Sequence, residues 1–427
     1  MRRGALAPLL CAALAAPAAA QQIDVTLTDA IQRSLAAQPA MVSAHGDVRN
    51  ANATKRGAWG AFLPSVGLGG SALRSNTARF DPNSTELLPP GYSYTGSLTA
   101  SLNLFDGFNR LFNVKASTAA SDAASAGFVN QRYQTTLATQ QAFFTALANA
   151  ELVRVAQANV DRAKEEVQIA VNRFQAGAAT RSDTLTATVD FGNARLAFLQ
   201  AQSNLATAQA NLARQIGVNG SARAVADSVV PQLLDTTGLR AAALASAPIV
   251  TQFEAQARAA GADIWNARSQ YWPSLSVAYT NTRTGVDAPE LPLLSNYRES
   301  FAWRFALTWT LFDGLQRERT QVSASTARDL ANAQAADARR QVDAQLTQYL
   351  AAMFTAHTQI GIADANVAAA TEARRVQQER YRLGAATLLD LLTAEANLTQ
   401  AEVLQVQARY NYVTARAQVE ALVGRTL

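Results

Sequence analysis

Arg380-Tyr381-Arg382-Leu383-Gly384-Ala385-Ala386-Thr387-Leu388-Leu389-Asp390 is a second version of Arg173-Phe174-Gln175-Ala176-Gly177-Ala178-Ala179-Thr180-Arg181-Ser182-Asp183, which lies 207 residues upstream. Each copy reads as the end of one helix and the start of the next. Gly177 and Gly384 supply the left-handed backbone that closes a helix C-terminus. Three residues on, Thr180 and Thr387 each open a Thr-x-x-Asp capping box with Asp183 and Asp390, satisfying orphan amides of a new N-terminus. Long alanine-rich polar segments flank both copies, so the stretch predicts two long helical hairpins.

The same register recurs elsewhere. Leu104-Phe105-Asp106-Gly107 matches Leu311-Phe312-Asp313-Gly314, and Ile216-Gly217 matches Val423-Gly424, again 207 apart. Upstream, Pro39 and Pro248, like Pro64-Ser65 and Pro273-Ser274, stand 209 apart. A two-residue length difference therefore lies between these landmarks, where a loop absorbs it cheaply. A period this long implies two equivalent halves rather than a solenoid. The expected organisation is a first structural repeat over 21–216, a connector over 217–237 holding Gly220 and Pro231, and a second repeat over 238–427.

The chain opens Met1-Arg2-Arg3, continues with a mostly apolar run from Ala5 to Ala16, and reaches Ala18-Ala19-Ala20 before Gln21. This reads as a secretory signal peptide, 1–20, cut after Ala20. The only cysteine, Cys11, falls inside it, so neither a disulfide nor a lipid anchor is expected in the mature chain. The formal net charge is +5, but charges of both signs are scattered, which describes a solvated helical surface and not a nucleic-acid footprint. His45 and His357 are the only histidines. No zinc-ligand spacing, phosphate loop or nucleophile elbow is present, so neither catalytic residues, nor a metal, nor a cofactor is expected. No mature segment carries the roughly 18 consecutive apolar residues of a membrane-spanning helix.

Two stretches switch to a period of two, giving β-hairpins at about 63–105 and about 272–312. In the first, Val66 and Leu68, then Tyr92, Tyr94, Leu98, Ala100, Leu102 and Leu104, alternate with small polar residues. In the second, Leu275, Val277 and Tyr279, then Phe301, Trp303, Phe305, Leu307, Trp309 and Leu311, do the same. Strands of about ten residues with one large apolar face and one small polar face suit a transmembrane barrel. Phe62, Tyr271, Trp272, Trp309 and Phe312 suit its interfacial girdle, and Arg304 falls on the lumen side. Four strands are fewer than the roughly eight a membrane barrel needs, and lipid forbids an open edge. Several chains must then share one barrel.

The helical segments obey a length relation. Residues 109–176 and 316–383 give helices of about 100 Å, whereas 28–61, 183–216, 239–271 and 390–423 are each about half as long. Thr28 is the expected N-cap of the first, and Pro39 should interrupt it. Ala394, Ala401, Ala408, Ala415 and Leu422 recur every seven residues beside Leu391, Leu398, Gln405, Tyr412 and Val419. The earlier copy has Ala187, Ala194, Ala201 and Ala208 beside Thr184, Phe191, Phe198, Leu205 and Leu212. Such rows impose supercoiling and close helix approach. The fold class is therefore mainly α with β: duplicated halves, a long coiled-coil helical tube and four strands for a shared barrel.

The duplicated halves, the Leu-Phe-Asp-Gly strand ends and the 380–390 motif followed by Leu391-Leu392-Thr393-Ala394-Glu395 resemble the TolC-type outer membrane factor family over nearly the whole mature chain. The resemblance implies a homotrimer whose twelve-stranded barrel in the Gram-negative outer membrane continues into a helical periplasmic tunnel. It implies a channel of a tripartite efflux or type I secretion system, working with a periplasmic adaptor (membrane fusion) protein and an inner-membrane transporter. The hairpin turns, with Gly177, Thr180, Gly384 and Thr387, would be the tips that meet the adaptor. Asp183, Asp390 and Tyr381 would line the entrance and hold its gate. Two positions depart from the family pattern. Thr393 stands where a second acid can occur, and Ala386 stands where the best-known gate has an arginine, with Arg181 on the other hairpin as the candidate substitute. Trp303, Phe305, Leu307 and Trp309 would face lipid. The alternative is a soluble periplasmic coiled-coil adaptor or interaction protein, which explains the helices but leaves Phe301, Trp303, Phe305 and Trp309 uncovered.

Overall fold

The computed structural model describes residues 22–80, 86–225, 238–286 and 298–425. The expected signal peptide, the loop containing Asp81-Pro82-Asn83 and the later part of the connector, 226–237, lie outside the described residues. In chain order, β1 (Ile23–Val25), α1 (Leu27–Ala37) and α2 (Pro39–Gly60) precede β2 (Ser65–Ser75), β3 (Arg79–Phe80), β4 (Leu87–Leu88) and β5 (Gly91–Asp106). Then come α3 (Asn109–Gln175), α4 (Arg181–Gln215), β6 (Ala222–Ala224), α5 (Leu239–Ser246) and α6 (Pro248–Ser269). β7 (Ser274–Val286), β8 (Arg298–Thr308), α7 (Gln316–Arg382) and α8 (Leu388–Val423) complete the chain.

The duplication is visible element by element. α3 and α7 are each 67 residues long, and α4 and α8 are 35 and 36. Both Leu-Phe-Asp-Gly landmarks turn a strand into a long helix by the same device. Gly107 with Phe108, and Gly314 with Leu315, take positive φ between 66° and 69°. A non-glycine residue there costs about 1–3 kcal/mol, and the same clamp offsets it in both halves. The Asp106 carboxylate accepts from the Arg110 backbone N–H (3.2 Å) and Nε (3.0 Å), and Asp313 accepts from Arg317 in the same way (3.1 and 2.9 Å). Each guanidinium also donates to the carbonyl of the Leu that opens the landmark, Leu104 or Leu311. Arg110 stacks on Phe62 and Arg317 on Tyr271, both at 5.0 Å.

Four details differ from the sequence expectation. The first N-cap is Thr26, not Thr28: Thr26 is extended and its hydroxyl accepts from the Asp29 N–H, which makes Asp29 the third helical residue. Pro39 interrupts the first helix as expected, but the segment expected as one helix over 239–271 also divides before a proline; Gln38 and Ala247 share the extended ψ (128° in both) that proline imposes on its predecessor. β8 ends at Thr308, so Trp309 and Leu311 lie beyond the strand, and the Trp309 indole donates to the Tyr271 carbonyl at 3.3 Å. The connector contains β6, which pairs in parallel with β1.

The chain forms two compact units, each drawn from both repeats. One contains the chain up to Val42 with Gln131–Ala245 and Val342–Leu427; the other contains Ser43–Asn130 and Ser246–Gln341. The core of the first unit gathers Val25, Phe143, Leu147, Leu212, Ile216, Met353 and Tyr412. Its heptad rows behave as expected on α8, where Leu391, Ala394, Leu398, Ala401, Ala408, Tyr412, Ala415, Val419 and Leu422 are all buried. On α4 the alanine row is buried at 187, 194 and 208, but Phe191, Phe198 and Leu205 are only half-buried.

The second unit holds the sheet β2-β5-β7-β8, antiparallel throughout. The two hairpins join at β5 and β7, whose register shifts at a bulge between Asn103 and Phe105. Its helices pack through small residues and polar pairs, such as Ser121 with Asn52 (2.9 Å) and Asn109 with Ser269 (2.8 Å). Among the described residues, no helix is long and apolar enough to cross a membrane.

Candidate functional site

The tips of the two helical hairpins are built by the predicted chemistry. Gly177 and Gly384 have φ of 75° and 79°. Around them the Ala178 and Ala385 N–H groups bond back to the Arg173 and Arg380 carbonyls (both 2.8 Å), while the glycine N–H groups reach the Phe174 and Tyr381 carbonyls. This is a Schellman closure in both copies. Thr180 and Thr387 then start α4 and α8 with complete capping boxes. Asp183 accepts from the Thr180 N–H at 3.0 Å, and Asp390 from that of Thr387 at 2.9 Å. The Thr387 N–H and hydroxyl, helped by Arg380, hold the Asp390 carboxyl below the usual carboxylate range.

The duplicated motif diverges in its long-range contacts. Tyr381 is 2 % exposed, packed with Ala170, Ala187, Leu388 and Leu391, while its counterpart Phe174 is 44 % exposed. Burial pushes the Tyr381 phenol up. Arg173 lies over the Tyr381 ring at 4.3 Å, donates to the Tyr381 carbonyl, and donates to the Ala178 carbonyl at 3.0 Å. Among the described residues its counterpart Arg380 donates only within its own turn, to the Ala385 carbonyl at 3.2 Å. Arg173 therefore ties the first hairpin to the second. Its role was not legible beforehand, although its recurrence at the head of both motif copies was a signal. Arg181 is exposed, with no side-chain partner among the described residues. Thr393 is exposed and its hydroxyl donates to the Leu389 carbonyl at 2.7 Å.

Deeper in the same unit lies a charged cluster that the sequence reading missed. Glu395 pairs with Arg162 at 2.9 Å and also with Arg374, and Arg162 reaches Glu402 at 3.0 Å. Glu166 is 1 % exposed and Glu395 4 %.

The sheet sorts its side chains as the alternation requires. One face carries the rows Val66–Ala100–Tyr279–Trp303, Leu102–Val277–Phe305 and Phe105–Leu275–Leu307. The other carries Ser65–Ser101–Ala278–Arg304 and Gly67–Thr99–Thr280–Ala302. On the apolar face Phe301, Trp303, Phe305 and Leu307 are each at least 62 % exposed, so nothing among the described residues covers them. Among the described residues β2 and β8 form the two unpaired edges of this sheet.

The family profile described as outer membrane efflux protein matches twice, over residues 30–218 and 239–425, in line with the two repeats. The outer membrane efflux protein BepC of Brucella suis is 23 % identical over 416 residues, covering 94 % of this chain and 86 % of BepC. Among solved structures, the outer membrane protein VceC of Vibrio cholerae superposes with a TM-score of 0.78 at 18 % identity, covering 94 % of this chain and 96 % of VceC. The CmeC outer membrane channel of Campylobacter jejuni gives 0.79 at 19 % identity, covering 93 % and 85 %. With both halves matched and the duplicated fold shared, the chain belongs to the outer membrane efflux protein family.

Proposed function

We propose that three copies of this chain place their four-stranded sheets edge to edge and close one twelve-stranded barrel, with the helical hairpin tips forming the periplasmic entrance. The role itself follows from the family: an outer membrane channel of a tripartite efflux or type I secretion system. The observation that carries the proposed assembly is the sheet, with an uncovered apolar face and two unpaired edges. A bare edge in lipid leaves each unsatisfied backbone group at a cost of several kcal/mol, so the edges must be met by other copies. An exposed stripe of Leu185, Val189, Leu196 and Leu199 on α4 fits the same reading, because it offers a second copy a helix-packing face. The soluble alternative has no support, since the aromatic face it leaves uncovered is uncovered.

In this assembly Trp303, Phe305 and Leu307 face lipid, Trp309 lies at the membrane interface just past its strand, and Arg304 faces the lumen. Asp183 and Asp390 put a ring of carboxylates at the entrance, where they favour cations. Arg173 and Tyr381 hold the two hairpins of each chain together. The tips around Gly177, Thr180, Gly384 and Thr387 meet a periplasmic adaptor that joins the channel to an inner-membrane transporter. The test is the mass of the complex extracted from isolated outer membranes, measured by light scattering corrected for detergent. A detergent-requiring trimer is expected; a soluble monomer would refute the shared barrel.

A further inference from the structure

About 14 Å along α3 from its C-terminus, four helices bury two carboxylates, Glu166 and Glu395, within one charged cluster. Glu166 on α3 stands one helical turn from Arg162, which pairs with Glu395 of α8, and the buried Glu166 Oε1 and Glu395 Oε2 each lack a hydrogen-bond partner among the described residues. The neighbours divide unevenly between them. Arg162 of α3 and Arg374 of α7 both pair with Glu395. Arg162 is also engaged by Glu402 of α8, and Glu165 approaches Arg374 at 3.9 Å. From α4 comes another acid, Asp190, whose carboxyl is pushed up by burial and by Glu395. Among the described residues Glu166 thus has no ion-pair partner of its own, and its Oε1 meets no donor. The buried Gln377 Oε1 and the Tyr381 hydroxyl, one turn apart on α7, also lack hydrogen-bond partners. Two ionised carboxylates buried in one cluster repel each other and lose solvation, which favours a proton held between them.

We propose that Glu166 and Glu395 share one proton, and that this proton fastens α3 to α8 beside the hairpin tips, so that rising pH loosens that end of the packing. Burial first, and then the Glu395 charge, push the Glu166 carboxyl up to about 8; Asp190 adds to this and Arg374 opposes it. A carboxyl whose pKa is raised by folding favours the packed state fully below its ordinary value near 4.5, and that preference is lost as pH rises through the folded value. Between pH 6 and 8, an opening that hydrates Glu166 therefore becomes about 50-fold more populated, and above pH 9 it levels off. That the loosened end is the channel entrance rests on the function proposed above; the shared proton does not.

The test is hydrogen exchange on the full assembled chain in detergent, with rates divided by their intrinsic values, for peptides spanning 160–170 and 391–400. The wild type should lose protection about 50-fold from pH 6 to 8, and Glu166→Gln, which keeps a donor but cannot ionise, should be flat. A flat wild type, or the same loss in the variant, overturns the proposal. If the variant does not assemble, the infrared carbonyl band of a protonated carboxyl decides it in the wild type. A band that disappears with a midpoint near 8 supports the shared proton, and its absence at pH 6 refutes it. Planar-bilayer conductance over the same range tests the entrance: changed exchange with unchanged conductance keeps the shared proton and refutes its bearing on the channel mouth.

Discussion

Trp303→Arg is the perturbation that most directly tests which face of the sheet meets lipid. Trp303 is the middle residue of β8, five positions from either end of Arg298–Thr308. At about 3.3 Å per residue, each strand end lies about 17 Å from it. A barrel tilt of about 40° reduces this to about 13 Å of depth, close to half of a roughly 30 Å hydrocarbon core. Arginine at that depth on the lipid face costs about 2–4 kcal/mol per chain, or a factor of about 30 to 700 in assembly. If three chains assemble together, the penalties accumulate. Ala302→Arg is the control: it is one residue away, on the face that already carries Arg304, and is paired with Thr280. The assay is the yield of detergent-resistant oligomer from isolated outer membranes. Trp303→Arg should be strongly depleted and Ala302→Arg close to wild type. Equal yields, or depletion of Ala302→Arg alone, would refute the assignment of faces.

Three further outcomes follow from the tips. Arg173→Ala removes two bonds to carbonyls and a stacked ring, whereas Arg380→Ala removes one bond within its own turn. At about 1.5–3 kcal/mol per charged hydrogen bond at most, and less at a partly solvated site, Arg173→Ala should raise resting conductance several-fold more; equal effects would remove the inter-hairpin tie. Asp390→Ala should weaken divalent-cation block. Because capping holds that carboxyl below its ordinary 3.8, block in the wild type should stay constant from pH 7 to 5 and fade only as pH drops through the lowered value; fading near pH 6 would assign the block to another group. Gly384→Val forces a β-branched residue to φ 79° and sets a carbon 3.6 Å from Arg173 Nη2. It should increase proteolysis at the tips while leaving oligomer yield intact, and loss of all folded protein would contradict that division.

Much of the architecture was legible because it is written in local chemistry. Capping boxes, closing glycines, prolines that divide helices, strand alternation and the seven-residue rows of α8 each act over a few residues. Where expectation slipped, the deciding interaction was also local but finer than residue type: Thr26 caps in place of Thr28 because its backbone is extended. Trp309 continues the alternation in sequence but leaves the strand.

The two repeats, the hairpins, the two-faced strands and the position of both tips follow from residue order alone, since period and cap chemistry need no distant partner. Which of two equivalent residues does what depends instead on packing between distant segments. Phe174 and Tyr381 occupy the same motif position, yet one is largely exposed and the other buried under Arg173. Arg162 meets Glu395 and Glu402 across more than 230 residues of chain, and β1 meets β6 across about 200. A duplicated sequence specifies identical local structure in both copies. Burial and charge pairing depend on what packs alongside, and there the two halves face different neighbours.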